Sequence, residues 1–203
     1  MIVLERVGFT GAAEGDVRHD DDARRRVSER LGIAADWATV RQVHGATVHR
    51  VTVPGWAGEG DAVWTEEPGL PVAVFTADCL GVAVVADGAV GVAHAGWRGA
   101  AAGVVPALVA AMRAAGHEPG KAFVGPGISP CCFEVGPEVA ELFPGHVRET
   151  TWGSVSVDLP GVVAAQLEGI DVETIPGCTF HEEDWFSHRR AGATERQVAV
   201  AWL

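Results

Sequence analysis

Apolar and polar residues alternate through WATVRQVHGATVHRVTV, residues 37–53. This period-2 pattern, rich in valine and threonine, predicts one or two half-buried strands broken near Gly45. The next run, PVAVFTADCLGVAVVAD at 71–87, is almost wholly apolar. It predicts strands covered on both faces, the second of them central. Asp87-Gly88 is a two-residue hairpin turn, so AVGVAHA, 89–95, should return beside its neighbour. The opening IVLERVGFT, then DAVWT, KAFVGPGI, SVSV, VETIPG and the closing RQVAVAWL, read as further strands, and PGWAGEG, 54–60, reads as a loop.

Helical patterns interrupt these strands. DVRHDDDARRRVSERLG, 16–32, places acids in its first turn and arginines later, which suits the helix dipole, and Gly32 is a natural stop. WRGAAAGVVPALVAAMRAAG, 97–116, reads as a helix in which Pro106 makes a kink or a fresh first turn. PEVAELF with Pro137 at its start, and the segment after Asp158, are shorter helices. Strands and helices mix without strict alternation. One α+β domain over residues 1–203 is therefore expected, with layered mixed sheets.

Composition narrows the function. Apolar residues make up 48% and charged residues 21%, as in a globular protein, and the net charge is −12. Lys121 is the sole lysine and no basic stripe is present, so nucleic acid is not an expected partner. An anionic substrate would need a local arginine cluster to overcome the overall field. Charges and glycines break the apolar run 70–95, so no membrane partner is expected. MIVLERVGFT lacks the layout of a secretory signal, and the four cysteines are read as thiols in a reducing cytoplasm.

Three of the strand patterns end near a metal-capable side chain: His44 in RQVHG, Cys79 in TADCLG and His94 in VAHAGWRG. Two imidazoles and a thiolate suit zinc, and copper too, and three protein ligands leave a position for water or substrate. Spacing alone does not separate this set from a small core cysteine and two backbone-satisfied histidines.

RQVHGATV, DAVWT, PVAVFTADCLGVAVV, VGVAHAGWRGAAAGVV, GPGISPCCFEVG and CTF…RR…RQVAVAWL, in this order, resemble the YfiH-like family. These bacterial proteins were long called polyphenol oxidases of laccase type and are related to human FAMIN. The resemblance covers nearly the whole chain and implies a four-layer α/β/β/α sandwich with two mixed sheets. It also implies a zinc centre on His44, Cys79 and His94. The implied function is a zinc-dependent purine nucleoside phosphorylase that cleaves adenosine, inosine and methylthioadenosine with phosphate, with adenosine deaminase as a side activity. Purine nucleosides and phosphate are then the partners of a chain expected to act as a monomer. The pattern departs near the C-terminus, where His188 precedes Arg189-Arg190 and Ala191 follows; relatives often have a tyrosine before the arginines and an acid after them.

Residue chemistry assigns provisional roles within that reading. Arginine forks donate in pairs to phosphate, so Arg98 is the leading phosphate ligand. Arg41 ranks second, because its odd offset from His44 on a strand turns it to the opposite face. Deamination calls for a carboxylate to carry a proton beside activated water. Asp61 leads for that role and Asp78 follows. Trp97 is either a stacking platform for a purine or a core anchor, and Cys131 and Cys132 lie in a Gly-Pro loop where at least one should be buried.

Two other functions use the same residues. A copper-dependent, laccase-like polyphenol oxidoreductase would take copper on His44, Cys79 and His94, although no H-x-H pair occurs among the eight histidines. A metal-free Cys–His hydrolase acting on a cell-wall precursor would use Cys79 as nucleophile and a histidine as base.

Overall fold

The computed structural model describes residues 1–203. In chain order the elements are β1 (Ile2–Leu4), β2 (Val7–Phe9), α1 (Asp21–Leu31), β3 (Ala38–Arg41), β4 (Val48–Arg50), β5 (Gly55–Glu59), β6 (Ala62–Thr65), β7 (Val72–Thr76), β8 (Leu80–Ala86) and β9 (Ala89–Ala95). Then come α2 (Trp97–Ala101), α3 (Val104–Ala114), β10 (Pro119–Val124), α4 (Pro137–Ala140), β11 (Val147–Glu149), β12 (Val155–Val157), α5 (Leu159–Ala165), β13 (Asp171–Thr174), α6 (His188–Ala191) and β14 (Gln197–Ala201).

Two six-stranded mixed sheets face each other, in the orders β1-β2-β14-β7-β3-β5 and β13-β10-β8-β9-β6-β4, with β11 and β12 as a separate ribbon. Alternation along the strands sorts the apolar side chains into layers. Ala199 and Ala201 of β14 point between the sheets, where they join Val7, Val74, Val92 and Phe123. Val198 and Val200 point outward against Ala23 and Val27 of α1. On the other side, Val82 and Val84 of β8 face outward onto Leu108 and Met112 of α3 and Val163 of α5. The result is the α/β/β/α sandwich expected from the resemblance. Each fully buried valine of this kind contributes about 1.5–3 kcal/mol. No helix is long and apolar enough to cross a membrane.

Local chemistry explains the element ends. Asp20 caps α1 by accepting the Asp22 and Ala23 N–H groups, and Gly32 ends it in the left-handed conformation. Asp87-Gly88 links β8 to β9 directly, with Ala86 opposite Ala89. Pro106 sits in the first turn of α3, where its missing N–H is not needed; Gly103, at φ 80°, breaks α2 from α3.

Several expectations change. IVLERVGFT is not one strand but a hairpin of β1 and β2. PGWAGEG contains an edge strand, β5, which pairs in parallel with β3. Its glycines hide this from composition, because an edge strand needs backbone pairing on one side only. The two halves of 37–53 join different sheets, as do the two halves of 71–87. The chain therefore crosses between sheets after β3 and again after β7, at the segments that carry His44 and Cys79.

Candidate metal centre and cavity

The crossings bring the three donors together. His44 lies in the loop after β3, Cys79 in the turn between β7 and β8, and His94 near the end of β9. Their ligand atoms all lie within 4.8 Å of one another. Three non-glycine residues have positive φ, and two of them flank or belong to this set: His44 at 61° and Asp78 at 86°. Such backbone costs of order 1–3 kcal/mol and persists only where its surroundings impose it.

Asp61 imposes it at His44. This carboxylate precedes β6 and is fully buried. It accepts the backbone N–H groups of Val43, His44 and Gly45 at 3.2, 2.9 and 2.7 Å. It also accepts from Nδ1 of His94 at 2.8 Å, and its own carbonyl accepts the His94 N–H at 2.7 Å. One side chain thus fixes the turn that presents one imidazole and the orientation of the other. Nε2 of His94 is left for a cation, the usual carboxylate–histidine–metal arrangement. Burial would raise the Asp61 carboxyl, but the hydrogen bonds from His94 and the loop amides win and hold it below the ordinary aspartate value.

The donors respond to one another. Burial would raise the Cys79 thiol, but the imidazoles of His94 and His44 outweigh it and bring it down to about 6. Burial would likewise lower His94, yet the facing Cys79 sulfur and Asp61 raise it to about 9. Near neutrality the metal-free trio is therefore a thiolate beside an imidazolium, and the thiolate form is the one that ligates metals. The backbone leaves space for an ion as well. A Cβ on Gly96 would stand 2.7 Å from Cys79 Sγ and 3.3 Å from His44 Cδ2, so glycine is required where the strand end passes the donors. The donor chemistry, the Asp61 carboxylate bonded behind His94 and the glycine cradle all fit a metal ion.

The trio opens on a cavity of about 370 Å³, within the range of small-molecule sites. Phe75, Ile128, Phe133 and Leu159 give it apolar walls, and Arg18, Arg98, Arg189 and Arg196 border it. The arginines that do pair with carboxylates, such as Arg24, Arg41 and Arg50, lie off the cavity. The guanidinium groups of the four at the cavity make no salt bridge, and carboxylates meet only the backbone N–H groups of Arg18, Arg189 and Arg196, so positive charge gathers at the pocket within a chain of net charge −12.

Some sequence-assigned residues sit elsewhere. Arg98 is on the cavity wall, its guanidinium 4.2 Å from the Trp97 ring centroid. Trp97 also lines the cavity; Arg98 stacks over its ring, and it packs partly against the helical core. Arg41 is not at the cavity; it is exposed and paired with Glu59 across β3 and β5. Asp61 does not reach the cavity either, because it lies behind His94 with both oxygens engaged. Asp78 is the one carboxylate on the wall; it accepts from the Thr179 hydroxyl at 2.7 Å and from the Arg189 N–H at 2.6 Å.

Sequence reasoning did not single out Arg18, Arg196 or Gln42. Gln42 reaches across to the Phe75 backbone, donating to its carbonyl at 2.7 Å and accepting its N–H at 2.9 Å, so it extends β3 beside β7 at the cavity rim. Arg18 and Arg196 lie far apart in the sequence and meet only because Asp16 accepts both their N–H groups, at 3.2 Å each. Of the paired arginines, Arg189 joins the cavity beside His188, whereas Arg190 is structural and donates to the carbonyls of Thr179, Glu182 and Trp185.

Comparison with known proteins agrees with this architecture. A protein from Streptomyces griseus named purine nucleoside phosphorylase ORF3 is 41% identical over 198 residues, covering 89% of this chain and 80% of its own. Purine nucleoside phosphorylase YfiH of Escherichia coli is 34% identical, with 91% and 81% covered. The crystal structure of YlmD from Geobacillus stearothermophilus matches with a TM-score of 0.82 and 32% identity, covering 95% of this chain and 83% of that one. Residues 10–203 match the family described as multi-copper polyphenol oxidoreductase laccase, and with its YfiH and YlmD relatives the chain belongs to that family.

Proposed function

We propose that this protein is a zinc-dependent purine nucleoside phosphorylase. It cleaves adenosine, inosine and methylthioadenosine with phosphate and deaminates adenosine as a side activity. The observation that carries the reading is the joining of a His44–Cys79–His94 donor set to a cavity bordered by four arginines whose guanidinium groups make no salt bridge. The names of the relatives support the same reaction class.

His44, Cys79 and His94 would hold the zinc, which when bound supplies Lewis acidity and an activated water. The chain's own residues do the rest. Arg98 is the leading phosphate ligand, and Arg18, Arg189 and Arg196 share the charge that the phosphate brings into the cavity. Phosphorolysis passes through an oxocarbenium-like sugar, so holding phosphate against the anomeric carbon is the main requirement. Phe75 and Phe133 offer apolar walls to the base and exclude water from it. Asp61 acts through His94, holding its Nδ1–H and so its metal-facing nitrogen. The proton-carrying role for deamination passes to Asp78, the acid on the wall.

The test is product identity. Adenosine and phosphate are given to zinc-loaded protein and to its Cys79→Ala form. Ribose 1-phosphate with adenine from the wild type, and none from the variant, is the expected outcome; inosine in smaller amount reports the side activity. Phenol oxidation that needs copper, without nucleoside cleavage, would favour the oxidase instead. Hydrolysis that survives chelation and dies on alkylation would favour the Cys–His enzyme.

A further inference from the structure

The remaining three cysteines converge on a site of their own. Cys131 and Cys132 lie in the loop after β10, and Cys178 lies in the segment after β13. Their sulfurs all fall within 4.8 Å of one another, with 3.2 Å between Cys131 and Cys132. The two segments are already joined by backbone. Ser129 N–H donates to Cys178 Sγ at 3.4 Å, the Ser129 hydroxyl donates to the Gly177 carbonyl at 2.9 Å, and Thr179 N–H donates to the Gly127 carbonyl at 3.0 Å.

We infer that Cys131, Cys132 and Cys178 form a second zinc site, separate from the His44–Cys79–His94 centre. Sulfurs each ~2.3 Å from a tetrahedral zinc stand about 3.8 Å apart. The sulfurs, 3.2 Å apart at Cys131 and Cys132 and all within 4.8 Å of one another, lie close to that spacing, so small rotations about χ1 would close the set around an ion. Packing accounts for a buried thiol singly, as a small hydrophobe. It does not account for every cysteine outside the first centre meeting at one point from two distant segments. Three thiolates select a soft cation, and charge selects among soft cations: divalent zinc leaves one net negative charge in this apolar setting, where copper(I) leaves two. Cys132 and Cys178 are buried and Cys131 is partly exposed, so a fourth, water ligand has one side from which to enter.

Such an ion would lock one wall of the cavity. Phe133, next to Cys132, lines it, and the Glu134 carbonyl accepts from the Arg189 guanidinium at 2.9 Å. Tying Cys131 and Cys132 to Cys178 fixes the loop that positions both.

Zinc counted per chain, after reconstitution under reducing conditions and removal of free metal, tests this independently of any activity. Two zinc ions are expected in the wild type, one in Cys79→Ser and one in Cys131→Ser. Cobalt(II) gives a second reading: the thiolate-to-cobalt band per ion should be about threefold stronger in Cys79→Ser than in Cys131→Ser, following the number of Co–S bonds. If Cys131→Ser does not fold, the Cys79→Ser protein decides alone, through its bound zinc, its cobalt band and a rise in Tm with added zinc. Cys79→Ser protein that holds neither zinc nor cobalt would overturn the assignment. So would Cys131→Ser protein that keeps two zinc ions, or a Cys131–Cys178 or Cys132–Cys178 disulfide in Cys79→Ser protein purified without reductant.

Discussion

The two three-donor clusters of this chain live under opposite conditions. His44, Cys79 and His94 open on a cavity bordered by arginines, whereas Cys132 and Cys178 belong to the apolar core under α3 and α5. Burial acts on both sets, but its outcome differs. At Cys79 the two imidazoles overcome it and hold the thiol at about 6. At Cys131 and Cys132 nothing of that strength stands opposite, and burial pushes both thiols up. At Cys178 burial is outweighed by the backbone N–H groups of Ser129, His181 and Phe180, and this thiol drops. Cysteine content alone therefore does not make a reactive centre. The first cluster holds a thiolate before any metal arrives and must release only the His94 proton to take one; the second must release thiol protons.

The largest effect expected from this contrast is in thiol reactivity. In metal-free protein, Cys79 stays a thiolate down to about pH 6, where an ordinary cysteine is almost wholly protonated. Its alkylation by iodoacetamide should be flat from pH 9 to pH 7 and fall about tenfold per unit only below pH 6. Cys131 and Cys132, raised by burial, should react last, and only toward alkaline pH or on unfolding. Mass spectrometry of the alkylated peptides across the pH series checks the order. Modification of Cys131 ahead of Cys79 at pH 7 would erase the distinction between the clusters.

A second way to break the comparison is to remove what the thiol cluster lacks, an orienting carboxylate. Asp61→Asn keeps the shape but loses an acceptor among four donors, three of them backbone N–H groups and the fourth His94 Nδ1. Loss of such a partner costs about 10–100-fold in metal affinity or activity. Zinc affinity at the first centre should fall by that factor, and Tm should fall with it, because a buried amide N–H₂ now faces donors. Zinc bound by the three cysteines should not change. Equal loss at both sites would indicate a general unfolding in place of a local role for Asp61.

How much of this was readable beforehand follows from what each signal depends on. The donor cluster was legible because His44, Cys79 and His94 each stand where a strand pattern stops, and the family resemblance implies a metal on all three. The hairpin at Asp87-Gly88 and the cap at Asp20 are local, so they needed only neighbouring residues. Asp61 is singled out as a proton carrier, and nothing in DAVWT tells that its carboxylate points at three backbone amides of another loop. The strand β5 was missed because Gly55–Glu59 earns its conformation from pairing with β3 and not from its own side chains. Arg18 and Arg196 were invisible for a related reason. Their meeting depends on Asp16 linking the segment before α1 to the one before β14, a contact of high sequence separation.

The smallest effect separates two arginines that the sequence placed together. Arg98 borders the cavity without a carboxylate partner, while Arg41 is an exposed residue already paired with Glu59. Arg98→Ala should raise the KM for phosphate about tenfold, since a hydrogen bond to a charged group is worth about 1.5–3 kcal/mol and three other arginines partly cover the loss. Its effect should shrink as salt rises, because the guanidinium is exposed and screened. Arg41→Ala should leave the phosphate KM within about twofold and cost no more than an exposed ion pair, about 0–1 kcal/mol of stability. Steady-state kinetics with phosphate varied at saturating nucleoside reads both. If the two variants lose phosphate affinity equally, the general field of the protein and not the cavity arginine sets binding, and the assignment of Arg98 is wrong.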